Sequence, residues 1–353
     1  MFIALAILAF SIIIAIHELG HFLSAKALNV KVTEFAIGMG PKLFSKQGKE
    51  TLYSLRILPF GGFCNMEGEH EDVEDETGEP DPRAFLSQKR WRRIVILVSG
   101  SGANIIAALI IVFFLYIGAT GFVGTTIADI KDHMPDLGPS QLMAGDRIVA
   151  VNGERLYYYD DFNLFMSINA GKPITFTIDR DGQTFDYERR SYTVEGETVY
   201  RYNIIFSVIE NNLAETLKYS FYQMYSFIRM IRVSIVMLFS GAASFSEDIA
   251  GPVGIISAMN TVGREAPNIG AALGNIVFFT AFIGVNVAII NLLPIPAMDG
   301  GRILFIFITW AIEKITRRHL NPKYENYINT GAFFLLIGLM VIILYNDIVK
   351  LIR

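Results

Sequence analysis

The sequence predicts a polytopic α-helical membrane protein with about four transmembrane helices, a membrane-associated β-hairpin and one inserted β-rich domain. Three observations carry this reading. Of the 353 residues, 52% are hydrophobic and only 18% charged, and the mean hydropathy is +0.41, whereas a soluble domain carries roughly 25% charge. Four stretches are apolar enough, and long enough, to cross a bilayer, which takes about 20 residues. Between the second and the third lies a polar segment whose residues alternate in the manner of strands.

The first stretch runs from Phe2 to Leu28 and contains His17-Glu18-Leu19-Gly20-His21. It lacks a basic leading region and runs into HELGH rather than a small-residue cleavage site, so it reads as a span and not a signal peptide. The second, Ile94 to Phe122, follows the basic run Lys89-Arg90-Trp91-Arg92-Arg93. The third begins near Ile276, is interrupted by NLLPIPAMDGG at 291–301 and resumes to Ile312. The fourth covers Ile328 to Tyr345. Residues 213–240 are rich in apolar side chains, but Lys218, Arg229 and Arg232 interrupt them; an amphipathic helix along the membrane surface fits better than a fifth crossing.

Lys and Arg close to the spans set orientation. Residues 89–93 and the group Lys314, Arg317, Arg318 and Lys323 share the cytoplasmic side when 123–275 lie outside. The acidic run GEHEDVEDETGEPDP (68–82) is then a solvated cytoplasmic loop. A net charge of −4 argues against a nucleic-acid surface. The single cysteine, Cys64, excludes internal disulfides and Cys-rich metal sites.

Two β-rich segments stand out. In 30–63, VTEFAIG and TLYSLRIL alternate and flank the turn-rich GPKLFSKQGKE, the pattern of a hairpin. In 123–210, ITFTIDRDG (174–182) and YRYNIIFSV (200–208) read as strands, and LMAGDRIVAVNGERL (142–156) sets a Gly-Asp turn and an Asn-Gly turn on either side of another. This last stretch resembles the central strand of a PDZ domain, which implies a module that grips peptide ends by adding them as a strand. The chain thus divides into an N-terminal membrane part (1–122), the PDZ-like domain (123–210), an amphipathic helical region (211–270) and a C-terminal membrane part (271–353).

The chemistry concentrates in two apolar surroundings. His17 and His21 are four apart, so both imidazoles leave one helix face and can share a metal. Glu18, about 100° further round the helix, sits beside a metal-bound water without being a ligand. Catalytic zinc takes three protein ligands and leaves a place for water, whose pKa falls to about 7. HExxH is a short pattern, and its weight comes from where it lies: uncompensated imidazoles and carboxylates in hydrocarbon cost several kcal/mol. Asp299 is the candidate third ligand, since Pro294 and Pro296 break the helix before it, and broken backbone at bilayer depth is tolerated where it is buried or lines a wet cavity. A helix cap for 302–312 is the structural alternative for this Asp. His70, His133 and His319 read as solvated loop residues.

HELGH in the first span and NLLPIPAMDGG in a late one together resemble the site-2 protease family of intramembrane zinc metalloproteases. GMGPKL (38–43), LPFGGFCNMEGE (58–69), SGSGANIIAAL (99–109) and AGPVGI (250–255) resemble further family elements in the same order, and one PDZ-like insertion resembles the bacterial RseP-type branch. The resemblance implies one Zn²⁺ held by His17, His21 and Asp299, Glu18 as general base, and Asn291 against the substrate backbone. It also implies a transmembrane protein substrate of the anti-sigma-factor or signal-peptide-remnant type, trimmed first by an upstream site-1-type protease. The setting it implies is the lipid bilayer of a bacterial cytoplasmic membrane, with the PDZ-like domain extracytoplasmic. Ser101 and Met298 replace the family's Pro and Leu, and neither is a ligand. A catalytically silent scaffold or a metal-ion transporter are the rival classes; cleavage and zinc content of Glu18→Gln separate them.

Overall fold

The computed structural model describes residues 2–69, 81–130, 142–169, 172–189, 192–194, 197–199, 204–241, 251–317 and 323–352. His70, His133, His319 and most of the acidic run lie outside them. The chain forms two compact units, one of residues 1–115 with 227–353 and one of 116–226.

Among the described residues four helices are long and apolar enough to cross a membrane. They lie in α1 (Phe2–Ala27), α2 (Arg90–Tyr116), α6 (Ile269–Leu292) and α8 (Lys323–Ile352), the last contributing 327–350. The remaining helices are α3 (Tyr159–Ile168), α4 (Leu213–Phe239), α5 (Pro252–Arg264) and α7 (Asp299–Thr316). The sequence expectation runs the second span on to Phe122, but the helix stops at Tyr116 and Phe122 lies in the strand β3 (Gly121–Ile130). β-branched Val123, Thr125 and Thr126 favour extended backbone there, and the Phe122 ring stacks on Tyr219 at 4.2 Å. The third apolar stretch is two helices: α6 ends before Pro294, and α7 starts afresh at Asp299.

The spans pack through small and apolar side chains. Ala6, Ala9 and Ile13 of α1 meet Met259 of α5 and Ile276 and Ile283 of α6. The C-terminal part of α4 belongs to this unit, with the buried Phe227 ring against Phe278 and Phe282 of α6 at 5.4 and 5.2 Å. The AGPVGI motif opens α5 with Pro252 at its first position, where a missing N–H costs nothing. Asp347 of α8, buried near the end of a long apolar stretch, accepts from the N–H groups of Gly251 (3.2 Å) and Gly254 (2.8 Å). A carboxylate from the last helix thereby satisfies donors that a helix start leaves free.

β1 (Val32–Gln47) and β2 (Leu52–Met66) are long strands that bend back on themselves. Residues 34–37 lie between 52–55 on one side and 62–65 on the other, while 42–47 cover the far side of 52–56. The segment 52–55 within TLYSLRIL is therefore flanked on both sides, and the two edges of the sheet are formed by 62–66 and 42–47. This differs from the simple hairpin expected from alternation, because GPKLF pairs instead of turning. Val32, Cys64 and Met66 join Ala25 of α1, Phe85, Ile96 and Leu97 around α2, and Ile306 of α7 in one buried cluster.

The second unit is a sheet in the order β10-β3-β4-β6-β7, with β4 (Arg147–Val151), β6 (Ile174–Arg180), β7 (Gln183–Arg189) and β10 (Ile204–Glu210). The expected Asn152-Gly153 turn is present, both residues having positive φ (49° and 79°), and leads into the two-residue strand β5 (Glu154–Arg155). Such turns match the twist of the strands they join. Ile148, Ile174, Phe176 and Ile178 are fully or almost fully buried in its core, each worth about 1.5–3 kcal/mol. Two short strands, β8 (Tyr192–Val194) and β9 (Glu197–Val199), pair with each other.

Asp146, the second residue of the expected Gly-Asp turn, is fully buried. It accepts from Arg180 Nε (2.6 Å), Arg180 Nη2 (2.8 Å) and the Met143 N–H (2.8 Å). Burial raises its carboxyl pKa, but these donors outweigh burial and hold it below the ordinary Asp range. A depressed native pKa stabilises the fold above the unfolded-state pKa of about 3.9 and loses that contribution as pH falls through the native value. Asp146→Asn is expected to cost about 1.5–3 kcal/mol, read as faster amide exchange in β4 and β6, and to flatten the acid dependence of that exchange below about pH 4.

Candidate metal centre

α1 carries His17 and His21 on its buried face and Glu18 beside them, as the i,i+4 spacing requires. The third group comes from the break after α6. Leu293 leaves the helix in an extended conformation, Ala297 adopts a left-handed φ of 71°, and the Ala297 N–H donates to Asn329 Oδ1 of α8 at 3.1 Å. Gly300 and Gly301 then restart the chain as α7 directly against this loop: a Cβ on Gly300 would lie 2.2 Å from the Leu292 carbonyl, and one on Gly301 2.1 Å from that of Ile295. Asp299 is the first residue of α7. The cap position is Met298, which makes no side-chain cap bond, so Asp299 is not spent on capping the helix and its carboxylate points at α1.

His17 Nε2, His21 Nε2 and Asp299 Oδ2 form a near-equilateral triangle, with 3.1 Å between the nitrogens and 3.2 and 3.3 Å from them to the oxygen. A point just off the centre of such a triangle lies about 2 Å from each corner, the length of a Zn–N or Zn–O bond. All three groups are largely buried, and Asp299 Oδ2 has no hydrogen-bond partner among the described residues. His21 Nδ1 donates to the Ile96 carbonyl at 2.8 Å, which fixes the tautomer that leaves a lone pair on Nε2. The donor set and its spacing fit zinc. Among the described residues this is the one His/Cys/Asp/Glu group close enough to hold a metal ion.

Glu18 faces a cavity of about 400 Å³ that is also lined by His21, Cys64, Glu69, Asp299 and Arg302. The Cys64 N–H hydrogen-bonds to its carboxylate. Asn291, in the last turn of α6, places Nδ2 3.4 Å from His17 Nε2. The structure thus brings together all five residues singled out from sequence.

Sequence reading missed what makes room for them. A Cβ on Gly100 of α2 would lie 2.4 Å from His21 Nε2 and 2.9 Å from His17 Cε1. Gly20 meets the same stretch of α2 from the other side, and Ser99 Oγ donates to its carbonyl at 3.0 Å. The run of small residues in SGSGAN carries the signal of close helix approach.

The model of peptidase family M50 matches residues 5–339. A Clostridium acetobutylicum protein that carries the name zinc metalloprotease is 36% identical over 351 residues, covering 98% of this chain and 97% of the relative. A Clostridium perfringens protein of the same name is 34% identical over 352 residues, 99% of each chain. The zinc metalloprotease RasP of Geobacillus kaustophilus is 26% identical over 422 aligned positions, covering 98% and 97%.

Gly100→Ala is expected to push His21 off its position and weaken zinc binding by about 100-fold, the upper range for groups that orient metal ligands. Gly102, where an added Cβ meets nothing within 4 Å, is the control: Gly102→Ala should bind zinc as the parent does. Chelator competition on the purified chain measures both.

Proposed function

The chain belongs to peptidase family M50, the site-2 proteases, and from that premise we propose that it cleaves a transmembrane segment of another membrane protein, with His17, His21 and Asp299 holding the zinc and Glu18 as general base. It is a multi-pass membrane zinc metalloprotease; the substrate class and the division of labour among residues are our reading. The observation that supports it most is the convergence of three metal-ligand atoms within 3.3 Å, drawn from two apolar parts of the chain.

Zinc bound there supplies Lewis acidity, which makes water nucleophilic at neutral pH and polarises a carbonyl. Glu18 takes the proton from the attacking water and returns it to the leaving nitrogen. Asn291, with both an amide donor and an acceptor, holds the substrate backbone beside the metal ligands. A helical peptide bond is shielded by its own hydrogen bonds, so the target segment unwinds before cleavage. The unwound strand pairs with the edge formed by 62–66, whose Phe63, Cys64, Asn65 and Met66 line the cavity. Segment 52–55 of TLYSLRIL, covered on both sides, is not that edge. Exposed Leu43, Phe44, Ile57 and Leu58 suit a sheet that dips into lipid.

The β-rich domain of 123–210, within the unit of 116–226, is read as a PDZ-like gate on the extracytoplasmic side of a bacterial cytoplasmic membrane. It excludes substrates with bulky ectodomains until an upstream protease has trimmed them. An anti-sigma factor and a remnant signal peptide are the substrate types this arrangement admits.

Glu18→Gln should lower cleavage of a model transmembrane substrate by about 10²–10⁴-fold while zinc content stays at one per chain; undiminished cleavage would remove Glu18 from the reaction. Strand pairing predicts a period of two: N-methylation of successive backbone amides around the scissile bond of a synthetic segment should inhibit at alternate positions. Uniform inhibition would argue against edge pairing.

A further inference from the structure

Arg302 and Glu69 belong to no step described above, yet both line the cavity that holds Glu18, His21 and Asp299. They form an ion pair with little exposure, 16% for the Arg302 side chain and 12% for that of Glu69. Arg302 Nη1 donates to Glu69 Oε1, and Nη2 donates to the Glu69 carbonyl at 3.3 Å. Glu69 Oε2 accepts the Met66 N–H at 3.2 Å, so the carboxylate is tied at once to the end of β2 and to α7. The Arg302 guanidinium also lies 5.2 Å from the centroid of the fully buried Phe85 ring, with Arg93 at the same distance.

The pair sits on the stripe of α7 that matters for the metal. Asp299, Arg302 and Ile306 are spaced i, i+3 and i+7 and share one helix face. Asp299 reaches α1, Arg302 reaches Glu69, and Ile306 enters the core with Met66 and Phe85. α7 starts after an irregular loop, so its rotation about the helix axis is not carried through from α6; the close packing of Gly300 and Gly301 on the loop sets how near it lies, and side-chain contacts along α7 share in setting its rotation. A buried ion pair is a costly way to gain stability, and fixing register is its best-attested use.

We propose that Arg302, held by Glu69, is a positioning residue: it fixes the rotation of α7 and thereby places the Asp299 carboxylate against the two imidazoles. This rests on Asp299 being the third zinc ligand.

The test is zinc affinity of the purified full chain by competition with a chelator, alongside its melting temperature and kcat. Arg302→Gln and Glu69→Gln should each weaken zinc binding by about 10–100-fold, and the double variant should lose no more than either single one, because both remove the same constraint. Arg302→Lys, which keeps the charge but not the second donor to the Glu69 carbonyl, should recover part of the loss. Zinc affinity within about twofold of the parent in Arg302→Gln, or losses that add in the double variant, would overturn the proposal. So would a lowered melting temperature with zinc affinity intact, which marks a merely structural pair. Asp299→Asn separates the two layers: if it loses zinc while Arg302→Gln does not, the positioning role fails alone; if it binds zinc like the parent, the ligand assignment fails and the positioning role falls with it.

Discussion

Imidazoles and carboxylates placed among apolar helices cost several kcal/mol each unless they are compensated. Several unusual local features of the membrane unit bring such groups within reach of one another. α1 supplies two imidazole nitrogens 3.1 Å apart, which repel as lone pairs unless a proton or a cation lies between them. Asp299 answers them from the first residue of α7, after a loop with a left-handed Ala297 and before two glycines that no larger residue can replace without striking a carbonyl. Gly100 lets α2 press against the imidazoles, and the Ile96 carbonyl of the same helix selects the His21 tautomer. Together these features leave three ligand atoms spaced to share one cation.

The same constraint explains the sheet. A carboxylate able to move protons needs a space that water and a peptide can enter, and the cavity beside Glu18 is walled on one side by the strand residues 63–66. The Cys64 N–H faces Glu18 from a strand whose other side is bonded to 34–37. Strand edges are usually a liability for association; here the edge lies against the site.

In sequence, the span count, HELGH, the Asp-Gly-Gly break and the Asn-Gly turn were all legible, because each is written in neighbours a few residues apart. His17 and His21 follow from 3.6 residues per turn, and the failure of helix around Pro294 and Pro296 follows from proline chemistry. The end of the second span was misplaced by six residues because Phe122 is as apolar as a lipid-facing side chain; it is buried by stacking on Tyr219 instead. The hairpin is present as an antiparallel pair, but its bend back on itself is not legible in the alternation. Alternation marks a strand but does not say how many partners flank it.

By itself the sequence determined which side chains are candidates for the chemistry and that they lie in apolar stretches, since periodicity, proline and hydropathy are local properties of the chain. Only the tertiary structure decided that Asp299 meets His17 and His21, that Asn291 stands beside His17 from 274 residues away, and that 62–66 rather than 51–58 faces the cavity. It also tied Arg302 to Glu69. Such meetings depend on helix rotation and strand register, which are set by packing between segments that share no sequence neighbourhood.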